Sequence, residues 1–103
     1  MILINLNDLN IYKYLDGLKK EAIETGKNEE AEIYQRKKED VDRFIENIKN
    51  QPKPIYQDVY VAMKYHYIYG LTLRNISTRM GCGEATVSRY IKRGKELLKN
   101  DST

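Results

Sequence analysis

Apolar residues recur at helical spacing through the first fifty positions of the chain. One stripe places residues at steps of four, three and four on a single helix face, through Ile11, Leu15, Leu18 and Ala22. A second stripe, with one polar member at Lys38, runs through Ala31, Tyr34, Lys38, Val41, Ile45 and Ile48. Thr25-Gly26-Lys27-Asn28 puts the two stripes out of phase, which predicts a helical hairpin rather than one long rod.

The limits of this hairpin follow from its polar and proline residues. Asn7 or Asp8 is the predicted N-cap of the first helix. Pro52 and Pro54 disfavour helix and predict a linker at 51–54, between a helical arm at residues 1–50 and a second unit at 55–103. The arm has two open roles: its helices cover a small core within the chain, or they supply a homodimer contact through residues 8–50.

A third helix is predicted from Ile55 to Tyr69. One of its apolar stripes runs through Tyr56, Tyr60, Met63 and Tyr67, and another through Ile55, Val59 and Ala62. Five of the nine tyrosines lie in this segment, so stacking on single-stranded bases is one interpretation. Helical spacing favours the other, a broad buried face whose phenol groups reach solvent.

A short helix and a second helix are predicted after Thr72. Thr72 caps the first, whose inward residues are Leu73, Ile76 and Met80, and Gly81 ends it because the tight turn needs a positive φ. The second begins at about Glu84, and its inner face carries Val87, Ile91, Gly94 and Leu98. The sequence therefore predicts an all-α fold.

The spacing within Leu73 to Lys92 is typical of a helix-turn-helix. Ser77, Gly81 and Val87 occupy positions 5, 9 and 15 of this twenty-residue unit. The small residue allows the helices to approach, the glycine makes the turn and the valine fills the crevice between them. Such a motif places its second helix in the major groove, which is about 12 Å wide.

Charge along the chain supports a nucleic-acid partner. Residues 1–50 carry 9 basic and 11 acidic residues, whereas residues 74–103 carry 7 basic and 3 acidic residues. A basic surface attracts DNA by releasing counterions. Double-stranded DNA is thus the expected partner of the second unit.

The outward face of the second of these helices carries the candidate DNA contacts. We call one set of residues the recognition strip: Glu84, Ala85, Ser88, Arg89 and Lys92. Arg89 is the predicted base reader, because a guanidinium donates two hydrogen bonds to guanine O6 and N7, while Ser88 and Glu84 are further candidates. Candidate phosphate contacts are Thr86, Arg93 and Lys95, with Arg74 and Arg79 on the preceding helix.

Other classes of protein have little support in the sequence. No apolar run approaches the length of a membrane span, and residues 1–5 do not resemble a signal peptide, so we expect a cytoplasmic protein. The single cysteine, Cys82, suits the turn's apolar slot, and His66 has no nucleophile beside it. We expect no catalytic residues, no cofactor and no metal, and hence no enzyme.

The segment from His66 to Leu98 resembles a known family. Tyr67, Gly70-Leu71-Thr72, Ile76, Met80-Gly81-Cys82 and Thr86-Val87 look like the promoter-binding C-terminal module of bacterial sigma factors, called region 4. The resemblance implies that the recognition strip reads a promoter element. Gly83 departs from a common capping serine and Ser77 from the usual alanine.

The rest of the chain departs more from a sigma factor. The segments that open the promoter and grip RNA polymerase would need about a hundred further residues. A short helical arm before such a module is similar to phage and prophage transcription regulators of the ArpU and RinA type. Two alternatives remain: a phage small terminase or other packaging or replication accessory, and a polymerase-binding mimic of sigma region 4.

Overall fold

The computed structural model describes residues 4–101, with the side chains of 4–98. Five α-helices follow one another: α1 (Leu6–Glu24), α2 (Asn28–Ile48), α3 (Ile55–Met63), α4 (Leu73–Met80) and α5 (Glu84–Asp101). A π-helical turn, Lys64–Ile68, continues α3, and the described range contains no strand. The predicted all-α fold is confirmed. The first three residues of the predicted arm and the last two of the second unit lie outside the described residues.

The N-cap of α1 differs from the prediction. Asn5 caps the helix, not Asn7 or Asp8. The Asn5 side chain accepts a hydrogen bond from the Asp8 backbone N–H, and the Asp8 carboxylate accepts one from the Asn5 N–H, each at 3.0 Å. This reciprocal capping box places Asp8 in the first turn of the helix. There its negative charge also interacts favourably with the positive end of the helix dipole.

The predicted hairpin is confirmed, with α1 ending at Glu24 and α2 beginning at Asn28. Polar groups join its two helices along their edges. Lys38, the polar member of the second stripe, donates to Asp16 at 2.8 Å, and the Tyr12 hydroxyl donates to Asp42 at 2.7 Å. Burial and this bond to a carboxylate raise the pKa of Tyr12 above its ordinary value. The arm's helices therefore pair within the chain.

One buried core continues from the arm into the second unit. Phe44 and Ile48 of α2 belong to the same apolar cluster as Val59 of α3, Ile76 of α4 and Val87 of α5. The cluster therefore contains residues from both sides of the predicted linker at 51–54. The arm thus forms one wall of the core that holds α3, α4 and α5 in place.

A polar cluster joins the arm to α3 beside this core. The Glu46 carboxylate accepts hydrogen bonds from Lys49 at 2.8 Å, the Tyr60 hydroxyl at 3.0 Å and Lys64 at 3.2 Å. These donors lower the pKa of Glu46 to about 2. Because the carboxylate is exposed to solvent, these bonds add little to the free energy of unfolding. Their main effect is to orient α2 relative to α3.

The third predicted helix begins at Ile55 but changes character at Lys64. The π turn inserts an extra residue per turn, so the apolar stripe is rotated before it reaches Tyr67, which is buried, and Tyr69, which is exposed. Ile55 was expected on a buried stripe, but it is the first residue of α3 and is 37% exposed. The other predicted members Val59, Ala62 and Met63 are buried, as expected.

Candidate nucleic-acid interface

The first helix of the predicted motif has the expected ends. The Thr72 hydroxyl accepts a hydrogen bond from the Asn75 backbone N–H at 3.2 Å, so Thr72 caps α4. Gly81 ends the helix with a φ of 68°, and the N–H groups of Gly81 and Cys82 both donate to the Ser77 carbonyl. Cys82 is half-buried against the core. The predicted turn between the two helices is confirmed.

The second helix starts without a side-chain cap. The Gly83 carbonyl accepts hydrogen bonds from the backbone N–H groups of Thr86 and Val87, both at 3.1 Å. Glycine at an N-cap costs only a few tenths of a kcal/mol relative to serine. The departure at Gly83 therefore leaves the start of α5 intact at Glu84.

Packing fixes the orientation of α5 against the other helices. Its predicted inner residues are all buried: Val87 (0% exposed), Ile91 (6%) and Leu98 (2%), together with Gly94. A Cβ atom added at Gly94 would lie 2.6 Å from the Met63 sulfur and 2.7 Å from its Cγ. The backbone of α5 is thus seated directly on α3, and one face of α5 is forced outward.

The recognition strip lies on that outward face. Its five members, Glu84, Ala85, Ser88, Arg89 and Lys92, are all exposed. Arg93, Arg74 and Arg79 are exposed as well, whereas Thr86 and Lys95 are half-buried at the edges of the face. Each candidate contact predicted from the sequence can therefore be reached from outside the core.

Comparison with known families assigns this part of the chain. Residues 60–98 match the family model described as Sigma-70, region 4. The chain carries a region 4-like helix-turn-helix. No curated protein and no solved structure matches the chain significantly. The predicted resemblance to region 4 is confirmed, and with it the assignment of this segment as a DNA-binding helix-turn-helix, while nothing further supports the ArpU or RinA type.

Within the region 4-like motif, Arg89 is tied to a neighbour on its own helix. Its Nη2 donates to the Thr86 hydroxyl at 3.1 Å. The sequence predicted separate roles for these two residues, a base contact and a phosphate contact. The bond occupies one of the five guanidinium N–H groups, so the paired donors that guanine requires remain available while the side chain is held against α5.

Two of the arginines lie over tyrosine rings of α3 and the π turn, which the sequence did not predict. The Arg93 guanidinium lies over the Tyr56 ring at 5.8 Å, and that of Arg79 over the Tyr65 ring at 5.9 Å. The partners belong to different helices, so only the fold brings them together. These cation–π contacts hold both guanidinium groups at the two flanks of the motif.

Glu96 limits the basic surface at its far end. It is exposed, and it follows Arg89 by seven residues, so it lies on the same helix face two turns later. Its negative charge would repel a DNA backbone. The seven-residue spacing from Arg89 could have been read from the sequence, which did not single out Glu96.

The described range holds neither a membrane helix nor a metal cluster. Within residues 4–101, no helix combines the length and the apolar character needed to cross a bilayer. The same residues bring no three His, Cys, Asp or Glu side chains into a metal-binding group.

Proposed function

We propose that this protein is a sequence-specific, double-stranded DNA-binding transcription regulator that inserts the start of α5 into the major groove. The observation that carries the proposal is the recognition strip: its five members are all exposed, on a helix whose opposite face is buried in the core of a region 4-like motif. Polar and basic side chains on such a face can contact base edges directly.

The roles we propose follow from reach and chemistry. Arg89 reads a base pair, with Ser88 and Glu84 as further base contacts and Ala85 and Lys92 completing the strip. The phosphate contacts are made by Thr86, Arg93 and Lys95, and by Arg74 and Arg79 on α4. The stacking of Arg79 and Arg93 on tyrosine rings supports this division, because a guanidinium held at the flank suits a backbone phosphate better than a base.

The wider role rests on the same motif. We propose a cytoplasmic regulator of phage or prophage origin, without enzymatic activity, that acts at promoters and contacts RNA polymerase. The family match at residues 60–98 supports a promoter function, since sigma region 4 both reads DNA and docks on polymerase. Selecting bound fragments from a whole genome would test this role, because a packaging site in place of promoters would indicate a terminase-like accessory.

Removal of Arg89 is the direct test of base reading. We expect Arg89→Ala to weaken binding to a selected duplex by about 1–3 kcal/mol and to relax the preference at one base pair. Lys95→Ala should instead weaken all duplexes about equally and lower the salt dependence of binding by about one unit of slope. Fluorescence anisotropy on duplexes with single base-pair changes measures both effects. Unaltered binding by both variants would show that this face does not meet DNA.

We also propose that the arm forms a homodimer through a groove near its hairpin turn, which we call the distal groove. The groove is about 510 Å³ and largely apolar, with Ile23 53% exposed in it. The core cluster does not extend to this end of the hairpin, where Ala22 and Ala31 are the buried residues nearest the turn. The hairpin therefore lacks a covering layer there.

Charge on the groove's rim favours a second copy of the chain as the occupant. Glu32 and Arg36 both line the groove, and they lie one helical turn apart on α2. Among the described side chains, neither takes part in an ion pair. An antiparallel two-fold contact would bring Glu32 of each copy opposite Arg36 of the other, which makes the surface self-complementary.

Ile23→Asp is expected to convert the dimer into a monomer without unfolding it, because the side chain is already half exposed. Ile33→Asp is the matched control, since Ile33 is 44% exposed on the hairpin but does not line the groove. Mass in solution, measured by light scattering, distinguishes the outcomes. A monomeric wild-type chain contradicts the dimer, and a large ring favours the packaging alternative.

A further inference from the structure

A small notch lies where the arm meets the turn that precedes α4; we call it the arm notch. Three elements line it: Leu9, Asn10 and Lys13 of α1, His66 and Tyr67 of the π turn, and Gly70 and Leu71 of the connecting turn. Its volume is about 150 Å³. Helix α1 of the arm therefore lies beside the turn that leads into the helix-turn-helix, although the arm is outside the matched residues 60–98.

Backbone and side-chain contacts connect the π turn to Leu71 on one side of the arm notch. The Leu71 backbone N–H donates to the Tyr65 carbonyl at 3.0 Å, and His66 Nδ1 lies 3.1 Å from the Leu71 carbonyl. Gly70 makes the intervening turn with a φ of 68°. Leu71 is thus fixed one residue before the Thr72 cap and three before Arg74.

The charge of the arm notch favours an anion. Lys13 supplies a full positive charge, Asn10 supplies amide N–H donors, and no carboxylate lines the notch. The nearest acidic residue on the same helix face, Asp16, follows Lys13 by three residues and is paired with Lys38 at 2.8 Å. Lys13 itself is exposed, and its ammonium group lies 5.1 Å from the centre of the exposed Tyr14 ring. It makes no ion pair within residues 4–98, so its charge is available to a ligand.

We propose that Lys13, with Asn10 beside it, binds a DNA backbone phosphate next to the one contacted at the start of α4. This inference rests on the proposed function: in a helix-turn-helix the first helix crosses the backbone, which brings the strand past Thr72 and Arg74. Lys13 lies beside the turn that leads into those residues. The arm then adds a phosphate contact that the region 4-like motif alone does not have.

Lys13→Gln tests the proposal, with Lys20→Gln as a matched control. Lys20 is also exposed on α1 and follows Lys13 by seven residues, so it occupies the same helix face about 10 Å further from the arm notch. The measurement is the dissociation constant of the full chain for a mixed-sequence DNA duplex over a range of salt concentrations. We expect Lys13→Gln to lower the slope of log affinity against log salt by about 0.9, and Lys13→Arg to restore it.

The outcomes separate this inference from the proposed function. A wild-type chain that binds no duplex overturns both. A wild-type chain that binds DNA, while Lys13→Gln and Lys20→Gln keep its slope, overturns the phosphate contact of the arm and leaves the proposed function standing. Equal losses in both lysine variants also overturn it, because they would report only the net charge of α1.

Discussion

Val87→Asp is expected to unfold the helix-turn-helix and, with it, most of the protein. Val87 is 0% exposed and lies in the cluster that also contains Ile76 and Ile48. An aspartate there would bury a carboxylate with no hydrogen-bond donor, at a cost above about 4 kcal/mol. A chain of this size has a total stability of roughly 5–15 kcal/mol. Far-UV circular dichroism against urea would show a lost or strongly lowered unfolding transition.

A second substitution at the same position separates charge from lost volume. Val87→Ala removes two methyl groups and should cost about 2 kcal/mol, with the fold retained. Because the core is shared, the arm and the second unit should unfold together in this variant, in one transition. A Val87→Asp protein with the wild-type midpoint would contradict the place of Val87 in the core.

The elements of this fold were predictable wherever neighbouring residues determine the structure. The hairpin followed from two stripes interrupted at Gly26, and α4 and α5 followed from Thr72, Gly81 and the spacing of Val87. Each of these signals acts within one or two helical turns. The outward placement of the recognition strip then followed, because the apolar residues of α5 can face only one way.

Other features depended on contacts that the sequence does not reveal. The N-cap was expected at Asn7 or Asp8, but Asn5 is the cap. Asn5 is favoured because its side chain accepts from the Asp8 N–H while the Asp8 carboxylate accepts from the Asn5 N–H. The π turn arises inside a segment whose apolar spacing predicted an ordinary helix. The tyrosine rings beneath Arg79 and Arg93 come from another helix altogether. Such pairings require the assembled core.

The shared core connects the arm to the helix-turn-helix. Ile48 of α2 and Val87 of α5 lie in one cluster, and Glu46 binds Tyr60 and Lys64 at the entrance to the π turn. A dimer formed through the distal groove would therefore hold two recognition helices at a set separation. That separation would appear as a fixed spacing between half-sites in the selected DNA.

Gly94→Val is expected to destabilise the protein by about 3 kcal/mol, although glycine is a poor helix former. A Cβ atom at this position would lie 2.6 Å from the Met63 sulfur, and Met63 is 0% exposed, so α5 must move away from α3. Gly17→Val is the matched control, since Gly17 lies within α1 with nothing within 4 Å of its added Cβ. That change should alter stability by only a few tenths of a kcal/mol. Urea unfolding of both variants gives the comparison.

A double-mutant cycle identifies Met63 as the cause of the Gly94 effect. Met63→Ala alone should cost about 2–5 kcal/mol, because it leaves a cavity between α3 and α5. In that background Gly94→Val fills part of the cavity, so its own cost should fall by about 1–3 kcal/mol relative to the wild-type background. Strictly additive costs would mean that the two helices do not meet at these residues.

Movement of α5 also tilts the recognition strip, so folded Gly94→Val protein should bind its selected duplex more weakly than Gly17→Val protein does.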